Sequence, residues 1–423
     1  MKADTSSEVQ RFYNFAPYPP VRRLMNYEHP DFSRSILNHL LRRREGIAGW
    51  FSPDMKIWVA GCGTQQAVEV GLNFPEAEVI ATDLSDASIG WSKSLAEQAG
   101  VKNVTFSRGD LLESSFEREF DLVVCTGVLH HLKEPDVGLA VIHQSLKPTG
   151  CAHLFVYNRS HRAPLKRFRK LLSSLGGNSL NFPQKKAFAN QLLDLILTRG
   201  GDNEWIEQLR YFEPAHIRES SEFEDTLLHP QEVDYDPKDL RSFLDRARMR
   251  HVSWMLPYAW DDLNENMGTE VRALLDTLQD EQRWDATYLF QGRHSPHLEF
   301  IATRDDSPEF QPFSDRELMS KRPLVCNHLV RSVDASGRLG SLNAIVPYRV
   351  DGENLYFISP AGDKRSDQWY GFSRKTEKLV GSCDGTRSIA ELCCEFNLSE
   401  GKLLKFFREK MLPPSAIVIC GTL

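Results

Sequence analysis

The chain has 423 residues, 41% hydrophobic and 26% charged, ordinary values for a globular protein and room for more than one domain. A formal net charge of −7 and a pI near 6.0 leave no overall electrostatic footprint for nucleic acid. The opening "MKADTSSEVQRFYNF" lacks the apolar core of a secretory signal, no run is long enough to span a bilayer, and the eight cysteines never fall in a C-x-x-C spacing. The expectation is a cytoplasmic protein with no membrane span, no disulfide framework and no metal site.

In chain order, residues 1–55 begin with an aromatic, proline-rich arm, "RFYNFAPYPPV". Tyr13, Asn14, Phe15 and Tyr18 suit a lid, because aromatic rings with polar tips close a pocket while keeping hydrogen bonds. A staple onto the domain surface is the alternative. A helical pattern on Phe32, Ile36, Leu37, Leu40 and Leu41 follows. From Lys56 to Tyr157, short apolar runs alternate with helical stretches, the signature of right-handed βαβ units and a Rossmann-like, doubly wound α/β sheet. Residues 158–300 are charged and mostly helical in pattern, with a helical substrate insertion at 158–285 and "HLEFIATR" as a strand returning to the sheet. Residues 301–323 read as a linker, and 324–423 as a second, smaller module.

Within 56–303, four strand ends carry chemistry. In "KIWVAGCGTQQAVEV", Gly61 and Gly63 let the backbone turn tightly and approach a ligand. A dinucleotide fingerprint wants a third glycine where Gln66 stands, and a P-loop wants a lysine that is missing. Twenty residues after Gly63, a strand ends in Asp83, placed to accept both hydroxyls of a ribose; the alternative is that Asp83 or Ser85 caps the next helix. Asp110 in "NVTFSRGDLLE" stands at a third strand end, as an adenine partner or a turn former. "FDLVVCTGVLHHLKEP" opens a fourth, with His130 and His131 adjacent.

These motifs resemble those of the class I S-adenosylmethionine-dependent methyltransferases, with "VAGCGT", "ATDLS", "GDLLE", "FDLVVCTGVLHHL" and "LKPTGCAHLFVY" in succession. The common pattern has a third loop glycine where this chain has Gln65; a bacterial subset reads GCGT-x-Q-A, and the chain fits it. The resemblance implies a seven-stranded sheet with a reversed final hairpin and S-adenosyl-L-methionine as cofactor. It implies that Ala60, Gly61, Cys62, Gly63 and Gln66 face the methionine end. Asp83 with Leu84 would hold the ribose, Asp110 with Leu111 the adenine, and Thr126–Gly127 the sulfonium, with Tyr13 and Tyr18 closing over them.

The sulfonium is already an activated donor, so such a protein aligns the acceptor and sometimes removes a proton. His130 and His131 are the expected bases; the alternative is that one bonds backbone and the other is solvated. Tyr157, Glu224, Asp225, His229 and Tyr235 are the expected acceptor-facing residues, with Glu224 or Asp225 suited to a cationic amine. Otherwise Asp225 caps a helix and His229-Pro230 forms a turn. The run "NRSHRAPLKRFRKLL" places Arg162, Lys166, Arg169 and Lys170 at helical spacing, read as the solvated face of an amphipathic helix.

In the last hundred residues, Asp351-Gly352 marks a hairpin turn and Ser388/Glu391 a capping box. The order suggests a winged-helix-like fold. "KLVGSCDGTRSIAELCCEF" is similar to the small peptide-binding domains related to the pyrroloquinoline-quinone biosynthesis chaperone, implying a peptide partner by strand addition; a homodimer contact is the alternative. The functional expectation is methyl transfer to a small metabolite or peptide. A cofactor-binding scaffold without turnover is the second reading. RNA methylation is disfavoured by the charge and by "CTGVLHH" standing where base-amine methylation favours an Asn/Asp-Pro-Pro-Tyr loop.

Overall fold

Strand β1 (Lys56–Ala60) shows why the sheet forms where it does: Ile57, Trp58, Val59 and Ala60 are all fully buried, as a central strand covered on both faces requires. The structure is a computed structural model. It describes residues 5–20, 55–74, 77–199, 204–254, 268–291, 295–307, 314–325, 348–351, 354–357, 370–373, 378–379, 382–383, 386–407 and 417–420. The helical pattern expected around Phe32–Leu41 lies outside the described residues. Contacts divide the chain into two units, and the first contains Met1–Leu24 and Asp54–Ser307.

Around β1, parallel pairing joins β2 (Glu78–Asp83), β3 (Val104–Arg108), β4 (Phe120–Thr126) and β5 (Leu146–Asn158). Beyond β5 come β8 (His297–Arg304) and β7 (Met249–Trp254), giving the order β3-β2-β1-β4-β5-β8-β7. Strand β8 runs antiparallel to both neighbours, so "HLEFIATR" does return to the sheet. A two-residue β6 (Asp234–Tyr235) pairs with the end of β5. The segment expected to be helical therefore contributes two strands. Strand β7, "MRHVSW", keeps no strict alternation, since Arg250 and His251 stand together and the register shifts between His251 and Ser253, and it carries no β-branched run, which hid it.

Strand order reverses between β2-β1 and β4-β5, and the crevice above the carboxyl ends at such a switch point is where α/β sheets bind ligands. The insertion packs a second core there: Leu165 and Phe168 of helix Arg159–Ser174 meet Leu193 of helix Phe182–Arg199 and Phe223 and Leu227 of helix Ser221–Leu228. Among the described residues no helix is long and apolar enough to cross a membrane.

The second unit includes Pro308–Leu423. Its helix Asp315–Ser320 opens with a capping box from Ser314 and Glu317, and β9 (Arg322–Val325) pairs antiparallel with β13 (Ile417–Cys420). The expected hairpin is β10 (Tyr348–Asp351) with β11 (Asn354–Phe357), extended by β12 (Tyr370–Ser373). Ser388 and Glu391 form the expected capping box on helix Ile389–Glu395, and helix Glu400–Phe406 follows.

Candidate functional site

Gly61 and Gly63 adopt left-handed backbone angles, φ +77° and +55°, that other residues enter at a cost. A Cβ on Gly61 would lie 2.2 Å from Val128 Cγ2, and one on Gly63 would lie 2.8 Å from the Tyr18 carbonyl oxygen. The turn therefore needs glycine for both shape and space. Asp83 fastens it: its Oδ2 accepts the Gly63 amide at 2.8 Å and its Oδ1 the Ser85 amide at 2.8 Å. Burial raises the Asp83 pKa, and the amides of Ser85 and Gly63 oppose that rise. Ser85, not Asp83, caps the next helix, accepting from the Ser88 amide. Gln66 reaches across to Thr126, its Nε2 donating to Oγ1 at 2.5 Å, so the ends of β1 and β4 are tied together. Gly127 follows in the left-handed region at φ +77°. Ala60 and Cys62 are fully buried, and burial lifts the Cys62 thiol well above its ordinary pKa. Asp110 accepts the Leu112 amide at 2.9 Å and caps a short 3-10 turn that buries Leu111.

Helix Thr5–Phe15 lies over these strand ends. Asn14 Oδ1 accepts from Ser85 Oγ at 3.0 Å, Gln10 Nε2 donates to the Leu84 carbonyl at 3.1 Å, and Thr64 Oγ1 donates to the Pro19 carbonyl at 2.7 Å. The arm thus touches both the glycine turn and the end of β2. Its Tyr13 hydroxyl crosses to the insertion and donates to Asp225 Oδ1 at 2.7 Å.

Asp225 sits inside helix Ser221–Leu228 and is buried, so it is no cap; its other oxygen accepts the Tyr157 hydroxyl at 3.1 Å. Burial first, and Asp225 next, raise both tyrosines well above their ordinary pKa. His130, His131 and His229 are all buried around this bridge. His131 and His229 lie ring to ring at 3.7 Å, and His130 stacks on Tyr157 at 3.7 Å. Burial lowers the pKa of all three, and each is neutral at pH 7. The tautomers follow from their partners. A carbonyl only accepts, so the contact of His131 Nδ1 with Gln231 O at 2.7 Å puts the proton on Nδ1 and the lone pair on Nε2. His229 Nδ1 accepts the Gln231 amide at 3.1 Å, which puts its proton on Nε2, a buried atom without a hydrogen-bond partner. Among the described residues neither nitrogen of His130 has a hydrogen-bond partner.

The alternative of one solvated histidine therefore fails: His130 is enclosed by Phe155 and Tyr157, and His131 by Tyr13, Tyr157 and His229. Donor atoms of His131, Asp225 and His229 lie within 4.8 Å of one another, a grouping that the sequence spacing did not reveal. With the His229 Nε2 proton in place and each Asp225 oxygen engaged by one hydroxyl, His131 Nε2 carries the imidazole lone pair of the trio, an arrangement suited to accepting a proton.

Two expected acceptor residues stand apart. Glu224 pairs with Lys186 at 2.7 Å, and Tyr235 packs on Phe243 in the core, where burial raises its pKa. Arg162, read as solvated, is buried instead. It lies 3.9 Å above the Tyr157 ring and pairs with Glu232, which Arg169 also meets at 2.7 Å. Burial pushes Glu232 upward, but the two arginines outweigh it and hold the carboxylate below its usual range. Gln231 and Glu232 carried only a weak cue, following directly on His229-Pro230.

Residues 57–150 match the family model described as a methyltransferase domain. The match covers residues 57–150 of the 423, and it is this segment that is similar to methyltransferase domains. The domain's neighbours are similar over longer stretches. An uncharacterized protein of Synechococcus sp. is 26% identical over 281 residues, 64% of this chain and 65% of that one. The malonyl-[acyl-carrier protein] O-methyltransferase of Priestia megaterium is 25% identical over 123 residues, covering 29% and 43% respectively. The chain thus spans less than two thirds of the length of these curated relatives. Among solved structures, PKMT2 from Rickettsia typhi in complex with AdoHcy aligns with a TM-score of 0.61 at 15% identity, over 96% of this chain and 78% of that one. That likeness shows the fold, a Rossmann-like class I methyltransferase fold, in agreement with the sheet order.

Proposed function

We propose that the chain is an S-adenosyl-L-methionine-dependent methyltransferase acting on a small metabolite or a peptide. The carrying observation is the Gly61–Gly63 turn held by Asp83 at the sheet's switch point, inside the segment that matches the methyltransferase domain. PKMT2 binding AdoHcy, the form the cofactor takes after giving up its methyl, supports the same cofactor here.

In this reading Gly61, Cys62 and Gly63 present backbone to the methionine end, Asp83 beside Leu84 receives the ribose, and Asp110 with Leu111 borders the adenine. Thr126 and Gly127 lie under the sulfonium, while Tyr13 and Tyr18 close the arm over it. The acceptor's nucleophile enters between the sulfonium and the histidine cluster. His131 Nε2 would take the proton that the nucleophile gives up, and His229 Nε2–H would hold the nucleophile through a hydrogen bond, while the bound cofactor would supply the methyl group. Asp225, bridged by Tyr13 and Tyr157, fixes the wall against which the acceptor is aligned. The protein works in the cytoplasm, and the second unit serves a peptide partner or a second copy of the chain.

The test is incubation of the protein with methyl-labelled S-adenosylmethionine and fractionated cell extract. Label in one fraction, absent from controls without the protein and lost in His131→Ala with cofactor binding intact, supports the reading. Cofactor binding with no label in any fraction favours a scaffold.

A further inference from the structure

A cavity of about 980 Å³ opens beside the cofactor arm, between helix Thr5–Phe15, helix Arg159–Ser174 and the start of helix Phe182–Arg199. None of its lining residues is one of those assigned to the cofactor's methionine, ribose or adenine. His229 and Gln231 form part of its wall, and the His229 ring lies 3.7 Å from His131. The cavity thus reaches the histidine cluster at His229, and no residue of the glycine turn lines it.

Its lining has two chemistries. One is apolar: Phe12, Phe15 and Phe182 make an aromatic wall, with ring centroids at 5.7 Å for Phe12–Phe182 and 4.7 Å for Phe15–Phe182. Phe15 is 59% exposed, an apolar ring left in water at the mouth. The other is cationic. Five lining residues are lysine or arginine and two are glutamate, an excess of positive charge on a chain whose net charge is −7. Arg169 and Lys166 are neutralised by Glu232 and Asp234. Lys170 and Lys185 have no carboxylate partner among the described residues. Lys170 lies eight residues beyond Arg162 on the same helix, a rise of roughly 12 Å from the Tyr157 level.

We propose that this cavity is the acceptor channel and takes an amphiphilic acid, its anionic group at Lys170 and Lys185, its apolar body along Phe12, Phe15 and Phe182, and its methyl-accepting end at His131. The proposal rests on the methyltransferase reading and names the substrate class for that site. A neutral apolar ligand would leave the half-buried Lys185 without a counter-charge, and a cationic one would meet repulsion from it and from the exposed Lys170. Burial lowers the Lys185 pKa and the charge of Arg169 lowers it further, the strain that a bound anion relieves. The histidine end is where proton removal is available, so the acceptor's acid group and its nucleophile are separate parts of one molecule.

Calorimetric titration of the full chain, with and without S-adenosylmethionine, tests this using decanoate, decanol and decylamine as probes of one length. The expected result is one decanoate per chain, bound at least tenfold tighter than decanol, with decylamine not bound. Lys170→Glu/Lys185→Glu should abolish decanoate binding while the S-adenosylmethionine affinity stays within twofold; Lys185→Gln, which removes charge at similar size, should weaken decanoate several-fold. Equal binding of all three probes, several molecules per chain without saturation, or decanoate affinity unchanged in both variants would overturn the proposal. Cofactor binding without decanoate binding leaves the methyltransferase reading standing and removes this one; decanoate binding without cofactor binding removes the methyltransferase reading and the acceptor role with it, leaving an acid-binding cavity alone.

Discussion

Two residues show how tightly the strand ends are specified. Gly61 holds φ +77° with Val128 against the place a Cβ would occupy. Gly61→Ala therefore combines backbone strain with a clash, and should cost about 1–3 kcal/mol of stability in urea unfolding. Arg162 is the second. It lies between the Tyr157 ring and Glu232, with both charges buried. Arg162→Met leaves that carboxylate with Arg169 alone, so a loss of about 3–5 kcal/mol is expected in the same assay. An unchanged unfolding midpoint in either variant would contradict the packing described. At this scale the sequence was most readable where one residue type meets one requirement: glycine at positive φ, an acid twenty residues on, Ser388 before Glu391. It was least readable for Arg162, because helical spacing assigns a side chain to a face but not to a partner seventy residues away.

Among the elements, the arm and the insertion helix Ser221–Leu228 meet through Tyr13 and Asp225, which no local pattern encodes. The arm's aromatic content left a lid and a surface staple both open, and its anchors were not legible at all. Gln10 and Asn14 are ordinary helix-surface residues until the fold sets Leu84 and Ser85 beside them. Asn14→Ala removes the acceptor for Ser85 Oγ and the Ala87 amide. If the arm closes over the cofactor, this variant should release S-adenosylmethionine several-fold faster in stopped-flow measurements, with little change in its association rate. Strand β7 shows the opposite case. Its six residues lack a β-branched run, and its place beside β8 is fixed by long-range pairing.

For the whole molecule, the buried histidines link stability to pH. Burial lowers His130, His131 and His229, and brings His297, stacked on Phe155, down to about 4. In the unfolded chain imidazoles titrate near 6.5. Between those values the unfolded state binds more protons, so stability is full above about pH 6.5 and is lost as pH falls toward 4. The thermal midpoint should drop across that window, and His297→Phe, which cannot be protonated, should flatten the slope. A slope unchanged in that variant would show that His297 titrates alike in the native and unfolded chain, against the burial described. The parallel half of the sheet was legible from strands alternating with helices. The association of the insertion with the strand ends was not, since it depends on where β5 and β8 carry the chain after it leaves the sheet order that the motifs mark.

The central claim is that Gly61–Gly63 and Asp83 hold S-adenosylmethionine. The most direct measurement is its calorimetric titration into the wild type and Asp83→Ala, with thermal unfolding run in parallel. One site per chain, weakened at least tenfold in the variant, a loss of about 1.4 kcal/mol, is the predicted result. Saturable binding unaffected by Asp83→Ala, or no binding to a folded wild type, would contradict it.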